Sequence, residues 1–220
     1  MHFEVPKAGL KTAKEFLGEY SMIVVSILTA LALEHAAQSW HHSHRAHDAE
    51  RKIEAELRIN LDELEKISAA NKKQLAHITQ IRKGLLADIK AKSSDQEVLE
   101  HFKKNADKRY GLNLQTPTLR REAWEVAVAS QAASWMSPEL LQRYSALYAQ
   151  QRDTLTAVNG DTQLTLSGPD MLNTLSDLEL GKVDPHALYR SLRQMESTID
   201  SVQGNLGVLQ EQMRTALAKA

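Results

Sequence analysis

The chain of 220 residues contains no cysteine, which excludes disulfides, thiol nucleophiles and thiolate metal centres and suits a protein of the bacterial envelope. Aromatic residues make up only 5%, and 9 glycines with 5 prolines leave little turn-forming material. Strand-rich architectures are therefore poorly served, whereas abundant Ala, Leu, Gln, Glu, Lys and Arg favour helix. Neither sign of charge dominates, since 27 Lys and Arg face 28 Asp and Glu. The balance is +2 up to Tyr110 and −3 beyond it, so no basic patch suggests nucleic acid. HExxH, GxSxG, GxxxxGK and GxGxxG are all missing, which removes the usual sequence marks of zinc proteases, serine hydrolases and nucleotide-binding enzymes. The chain therefore reads as a non-enzyme, although a metal-dependent envelope enzyme built from residues distant in sequence stays open.

Long apolar runs are also lacking, with one exception. Tyr20 to Leu33 reads YSMIVVSILTALAL, fourteen residues without a charge, fenced by Glu19 and Glu34. Fourteen is short, because about 20 apolar residues at about 1.5 Å each are needed to cross a bilayer core of about 30 Å. Counting from Phe16 to Trp40 gives 25 residues, with Ala36 and Ala37 cheap in lipid and Trp40 suited to the interface. Residues 16–40 are thus predicted to form a single transmembrane anchor helix after a short polar tail, 1–15. A cleaved signal peptide is one alternative, with Lys7, Lys11 and Lys14 before an apolar stretch and Ala30-Leu31-Ala32 as the cut. Glu15 and Glu19 sit badly in its basic region. A buried helix of a soluble domain is the other, and little else in the chain is apolar enough to enclose it.

Residues 41–220 read as one helical bundle domain. From Asp48 to about Lys92 the apolar residues Ile53, Leu57, Leu61, Leu64, Ile67, Leu75, Ile78, Ile81, Leu85 and Ile89 recur in steps of 3, 4 or 8, one stripe on a long helix. The step of 8 skips Asn71. In a coiled coil Asn71 would set register and oligomer state at a cost in stability; otherwise it is a partly exposed seam residue. Lys92-Ser93-Ser94-Asp95 is predicted to end that long helix and to supply a cap for a shorter one from Gln96 to about Arg109, and Tyr110 to Pro117 is the least helical stretch. Thr118 is the expected cap of a helix LRREAWEVAVASQAASW, and Ser137-Pro138 opens another that ends at Asn159-Gly160. After a turn at Ser167 to Asp170 comes a short helix, Met171 to Leu180, closed by Gly181. Asp184-Pro185 starts the last helix, whose Leu188, Leu192, Met195, Ile199, Val202, Leu206, Leu209, Met213 and Leu217 form a near-heptad seam suited to the Asp48–Lys92 stripe. Close packing is expected at Gly204 and Gly207, which otherwise cost about 1 kcal/mol each. The fold class is all-α: one transmembrane helix continuing into an antiparallel bundle of long, coiled-coil-like helices.

Two groups of residues stand out as candidate sites. The junction EHAAQSWHHSHRAH holds five of the nine histidines. His41, His44 and His47 are spaced i, i+3, i+6, and His44 and Asp48 i, i+4, a spacing that lets two side chains reach one zinc, nickel or copper ion. Weak zinc or nickel binding, pH sensing and simple suitability for the lipid headgroup zone are the three readings. Within the anchor, Glu19, Ile23, Ser26, Ala30, Glu34 and Ala37 fall on one face. Ser26 and Ala30 make a small-xxx-small pair that lets membrane helices approach, and an acid in lipid is best explained by a partner helix or by reaching toward the interface.

The order KEFLGEYSMIVVSILTALAL, then AERKIEAELRINLDELEKI, then REAWEVAVASQAASWMSPELLQRYSALYAQQ resembles a group of uncharacterised bacterial proteins with one N-terminal span and a helical remainder. The likeness covers roughly residues 14–150 and is firmest at Glu15, Phe16, Glu19, Trp40, Trp124, Leu140, Leu141 and Tyr148. It implies the anchor-plus-bundle architecture and no activity, and the histidine run departs from the Lys, Arg and Asn junction of that group. The expectation is a single-pass protein of the bacterial inner membrane, with its bundle in the periplasm. It would act as a scaffold or regulatory accessory subunit through the bilayer and either a homo-oligomer or a partner membrane helix. A ligand- or metal-sensing bundle is the rival; with about 20 residues before the span, it would hand its signal to a partner.

Overall fold

The structure, a computed structural model, describes residues 13–106, 113–166 and 168–218. Among these residues there is no strand. Helix α1, Ala13–Ala91, is 79 residues long and unbroken, about 118 Å of helix at about 1.5 Å per residue. No proline interrupts it, and Gly18 and Gly84 are its only glycines, so nothing removes a ladder hydrogen bond or invites a kink. It ends where Lys92 turns left-handed at φ 56°. Ser94 then caps α2, Asp95–Asn105, through a capping box with Glu97.

The other helices are α3, Glu122–Ala129, a four-residue 3₁₀ turn, Ala132–Trp135, then α4, Pro138–Leu166, α5, Pro169–Glu179, and α6, Pro185–Ala218. Three start or stop as the sequence predicts. Ser137 Oγ accepts from Leu140 N at α4, Asp184 Oδ1 accepts from His186 N and Ala187 N at α6, and Gly181, at φ 74°, closes α5.

From Ala46 onward α1 forms the spine of a bundle with α4 and α6. Helix α6 runs antiparallel to α1, for Arg214 reaches Glu65, Gln203 reaches Ser68 and Glu196 reaches Thr79. Its seam is buried from Leu188 to Met213 and faces Ile53, Leu57, Leu64, Ile78, Ile81 and Leu85 of α1. The apolar interior falls into two clusters. One, toward the N-terminal arm of α1, gathers Ile53, Leu57 and Leu64 with Tyr144, Leu147 and Tyr148. The other, toward the far end, gathers Ile78, Ile81 and Leu85 with Val98, Phe102, Met171 and Leu178. Between them on α1 lie the buried polar residues Ser68 and Asn71.

Four sequence expectations change. The helix expected from Leu119 begins only at Glu122, with Arg121 rather than Thr118 before it. It breaks at Gln131, which is left-handed at φ 62°. Helix α4 runs through Asn159-Gly160 to Leu166, because Val158 is fully buried and Asp161 on the next turn holds Ser201 of α6 at 2.8 Å. A methyl group on Gly204 or Gly207 would meet nothing within 4 Å, so close packing does not account for them. Finally, Asn71 is neither partly exposed nor turned toward a second chain: it is 0% exposed and occupied by its own chain.

Candidate functional site

The residues that place the site are two buried asparagines. Asn71 Nδ2 donates to Gln115 O at 2.8 Å and its Oδ1 accepts from Gln115 N at 2.9 Å. Asn60 does the same with Arg120, at 2.8 Å in both directions. Each amide thus imitates a neighbouring strand and satisfies both polar groups of an extended residue. The spacing follows from chain geometry. Eleven residues of helix rise about 16.5 Å and make just over three turns, and five residues of extended chain at about 3.3 Å cover the same length. Asn71 and Asn60 therefore share a face of α1 and meet positions 115 and 120 running antiparallel to it.

This stapled segment delivers α3 back toward the arm. Gln151 Nε2 on α4 also donates to Arg120 O, at 2.9 Å. Glu56, buried on α1, accepts from Ala123 N at 2.8 Å and from Tyr148 Oη at 2.6 Å. The first of these bonds does for α3 what a cap of its own would do. Burial first, and then the Glu56 carboxylate, push the Tyr148 phenol well above its ordinary range. The Trp124 ring stacks on Tyr148 at 5.5 Å.

Where α1 emerges from the bundle, aromatic and basic side chains meet. The Trp135 ring stacks on His42 at 4.1 Å with planes 9° apart, and the Arg45 guanidinium lies 5.9 Å from its centroid. One turn earlier, Trp40 stacks on His44 at 5.8 Å and meets His41 edge-on at 5.1 Å. Two grooves flank this root. One of about 400 Å³ is lined by His44, Arg45, Asp48 and Lys52 with Glu122, Val126 and Ser130. The other, about 450 Å³, is lined by Ser39, His42 and His47 with Trp135, Met136 and Ser137.

The histidines singled out by spacing do not converge. His41 and His44 rest on Trp40, and His47 Nδ1 lies 3.7 Å from Glu50. Asp48 bonds Arg51 and lies 3.2 Å from Lys52; these two partners, Arg51 first, hold its carboxyl below the usual range. Among the described residues no three His, Cys, Asp or Glu side chains gather as a metal site.

The arm, residues 13 to about 41 of α1, is bare. Phe16, Leu17, Tyr20, Met22, Ile23, Val25, Ile27, Leu28, Leu31, Leu33 and Trp40 are 54–67% exposed, and the arm is long and apolar enough to cross a membrane. Of the face Glu19, Ser26, Ala30 and Glu34, all four are exposed. Ser26 Oγ donates to Met22 O at 2.8 Å, as Ser21 and Thr29 donate to Leu17 O and Val25 O. Their hydroxyls are thus satisfied within the helix and do not themselves demand a partner. Glu34 Oε1 accepts from Gln38 Nε2 at 3.2 Å.

Sequence reasoning missed Asn60, Glu56 and Gln151. Their signal was a set of polar residues at seam positions next to a stretch that is poorly helical, a combination that points to side chains serving an extended backbone. No protein-family model, curated protein or solved structure matches the chain.

Proposed function

We propose that the arm spans a lipid bilayer and that the protein is a membrane-anchored helical scaffold or accessory subunit, working through self-association or a partner span. The observation that carries this reading is the bare arm continuous with the bundle's spine. Ten large apolar side chains from Phe16 to Leu33 stand more than half exposed. At about 1.5–3 kcal/mol for each side chain fully buried, leaving them 54–67% exposed to water forgoes on the order of 10–20 kcal/mol. A bilayer recovers it, and residues 16–40 supply about 37 Å of helix for a core of about 30 Å. Because α1 has no break between arm and bundle, a tilt or rotation imposed on the span is carried rigidly into the bundle. That is the mechanical property a scaffold or coupling subunit needs.

The reading places the chain in a bacterial inner membrane with the bundle on the periplasmic side. A tail with Lys7, Lys11 and Lys14 resists export, whereas a long domain crosses largely regardless of charge. The face Glu19, Ser26, Ala30 and Glu34 is the surface for a second copy or a partner helix. Alkaline carbonate should leave the full chain in the membrane pellet, and a soluble chain would refute the anchor. Light scattering in mild detergent should give a mass above one chain, which Ser26→Leu with Ala30→Leu lowers and Val24→Leu does not. A monomer across detergents would end the self-association reading and leave the partner span.

A further inference from the structure

Resting on the reading that the arm spans a bilayer, the level of one bundle corner follows from helix geometry. A bilayer core of about 30 Å grows to about 40–45 Å with its headgroup layers, so each layer is about 5–8 Å deep. With Trp40 at the boundary of the core, residues 40 to 45 rise about 7.5 Å along the axis and fill that layer.

A second part of the chain lies at the same level. The corner from Gln131 to Pro138, which carries the 3₁₀ turn, packs on α1 there. Trp135 stacks on His42 and lies under Arg45, and one groove joins Trp135 and Ser137 to Ser39, on the arm side of Trp40. The corner is fixed at this height, because Ala132, Ala133 and Met136 are buried in the core that α1 shares. Its outward residues, Gln131, Ser134, Ser137 and Pro138, are exposed and uncharged. Ser134 Oγ already donates to Gln131 O at 2.7 Å, and Ser137 Oγ accepts from Leu140 N at 3.2 Å. Entry into a headgroup layer therefore costs this corner little desolvation.

We infer that the Gln131–Pro138 corner is a second membrane contact, seated among phospholipid headgroups, with Trp135 as its interfacial ring and Arg45 as the cation for lipid phosphate. An amphipathic indole at headgroup depth, backed by a guanidinium, is the chemistry that such a layer selects. The span alone fixes one line through the bundle. A second contact beside it fixes the bundle's tilt as well.

The absence of cysteine makes each introduced cysteine a unique labelling site. The full chain carrying a nitroxide at Ser134→Cys is reconstituted in vesicles of phosphatidylcholine and phosphatidylglycerol, and collisions with oxygen and with a water-soluble nickel chelate are compared. Leu28→Cys in the arm and Leu180→Cys at the far end, both largely exposed in the structure, serve as references. The Ser134 label should lose most of the nickel collisions seen at Leu180 and gain oxygen collisions, without reaching the depth of Leu28. A label at Pro138 should agree, and an unchanged helix melt verifies the fold. Full nickel access at Ser134 and Pro138, with Leu28 shielded, overturns the inference while the anchor stands. Shielding from both reagents means that protein covers the corner, and this overturns it too. Free nickel access at Leu28 refutes the anchor itself, and the inference with it.

Discussion

Replacing Asn71 by leucine separates two roles that predict opposite signs. A polar residue that sets register in a coiled coil weakens it, so leucine there should raise stability and alter self-association. In the structure Asn71 is fully buried and makes two hydrogen bonds to the backbone of Gln115. Leucine has a similar volume but removes both partners at once. Each bond contributes about 1 kcal/mol net, and a buried backbone group left unpaired costs about 1–3 kcal/mol. The side chain of Gln115 is exposed, so water can reach that backbone in part, and the apolar gain of leucine offsets some of the rest. A net loss of about 2 kcal/mol follows, which for a domain of this size lowers Tm by about 4–8 °C. Chemical and thermal unfolding followed by circular dichroism in mild detergent measures it. Hydrogen exchange adds a local readout, because protection of the Gln115 amide should vanish while that of Arg120, held by Asn60, persists. A leucine variant as stable as the parent, or more stable, would refute the reasoning.

Three further outcomes are expected. Gly204→Ala and Gly207→Ala should each raise stability by about 1 kcal/mol, because both glycines are helical with open space around them; a loss on unfolding would show that something unseen packs there. Glu196 accepts from Thr79, Arg82 and Arg193, and although burial opposes them these bonds hold its carboxyl down at about 2. Its contribution is complete above the unfolded pKa of about 4.5 and fades as pH falls from there toward 2, an upper bound of about 3 kcal/mol for a side chain 11% exposed. Glu196→Gln should therefore flatten acid unfolding over that window, and an unaltered acid limb would count against it. For the histidine cluster, calorimetry with zinc or nickel should find binding no tighter than micromolar, lost on replacing His41, His44 and His47 by Ala without change in the melt, whereas a nanomolar site would require the junction to reorganise.

What the sequence revealed was mostly local. The Lys92–Asp95 break, Ser137 before Pro138, Asp184 before Pro185 and Gly181 at a left-handed C-terminus act within a few residues. The α6 seam is legible because a repeat of 3 and 4 needs no knowledge of its partner. The two asparagines are different, since their meaning lies 44 and 60 residues away. A polar residue inside an apolar stripe reads as a seam defect until the extended segment that it serves is in place. The same long-range demand overrides the helical propensity of Leu119 and Arg120. Asn60 and Gln151 offer Arg120 fixed partners before α3 begins, and Glu56 holds Ala123 in its first turn.

These long-range bonds also guide the chain toward the root of the arm. The extended segment has no ladder of its own, so its course depends on side chains projecting from one face of α1, and that course ends at the root of the arm. Freeing Asn60 and Asn71 would loosen the extended segment ahead of α3, while the burial of Ala132, Ala133 and Met136 still holds the 3₁₀ turn against α1. The polar residues inside the bundle thus guide the chain into α3, at its edge. The height of Trp135 beside His42 and Arg45 is then kept by the buried Ala132, Ala133 and Met136. On the reading proposed above, the unbroken α1 that carries both the arm and the face stapled by Asn60 and Asn71 is what would give a scaffold a fixed attitude to a bilayer.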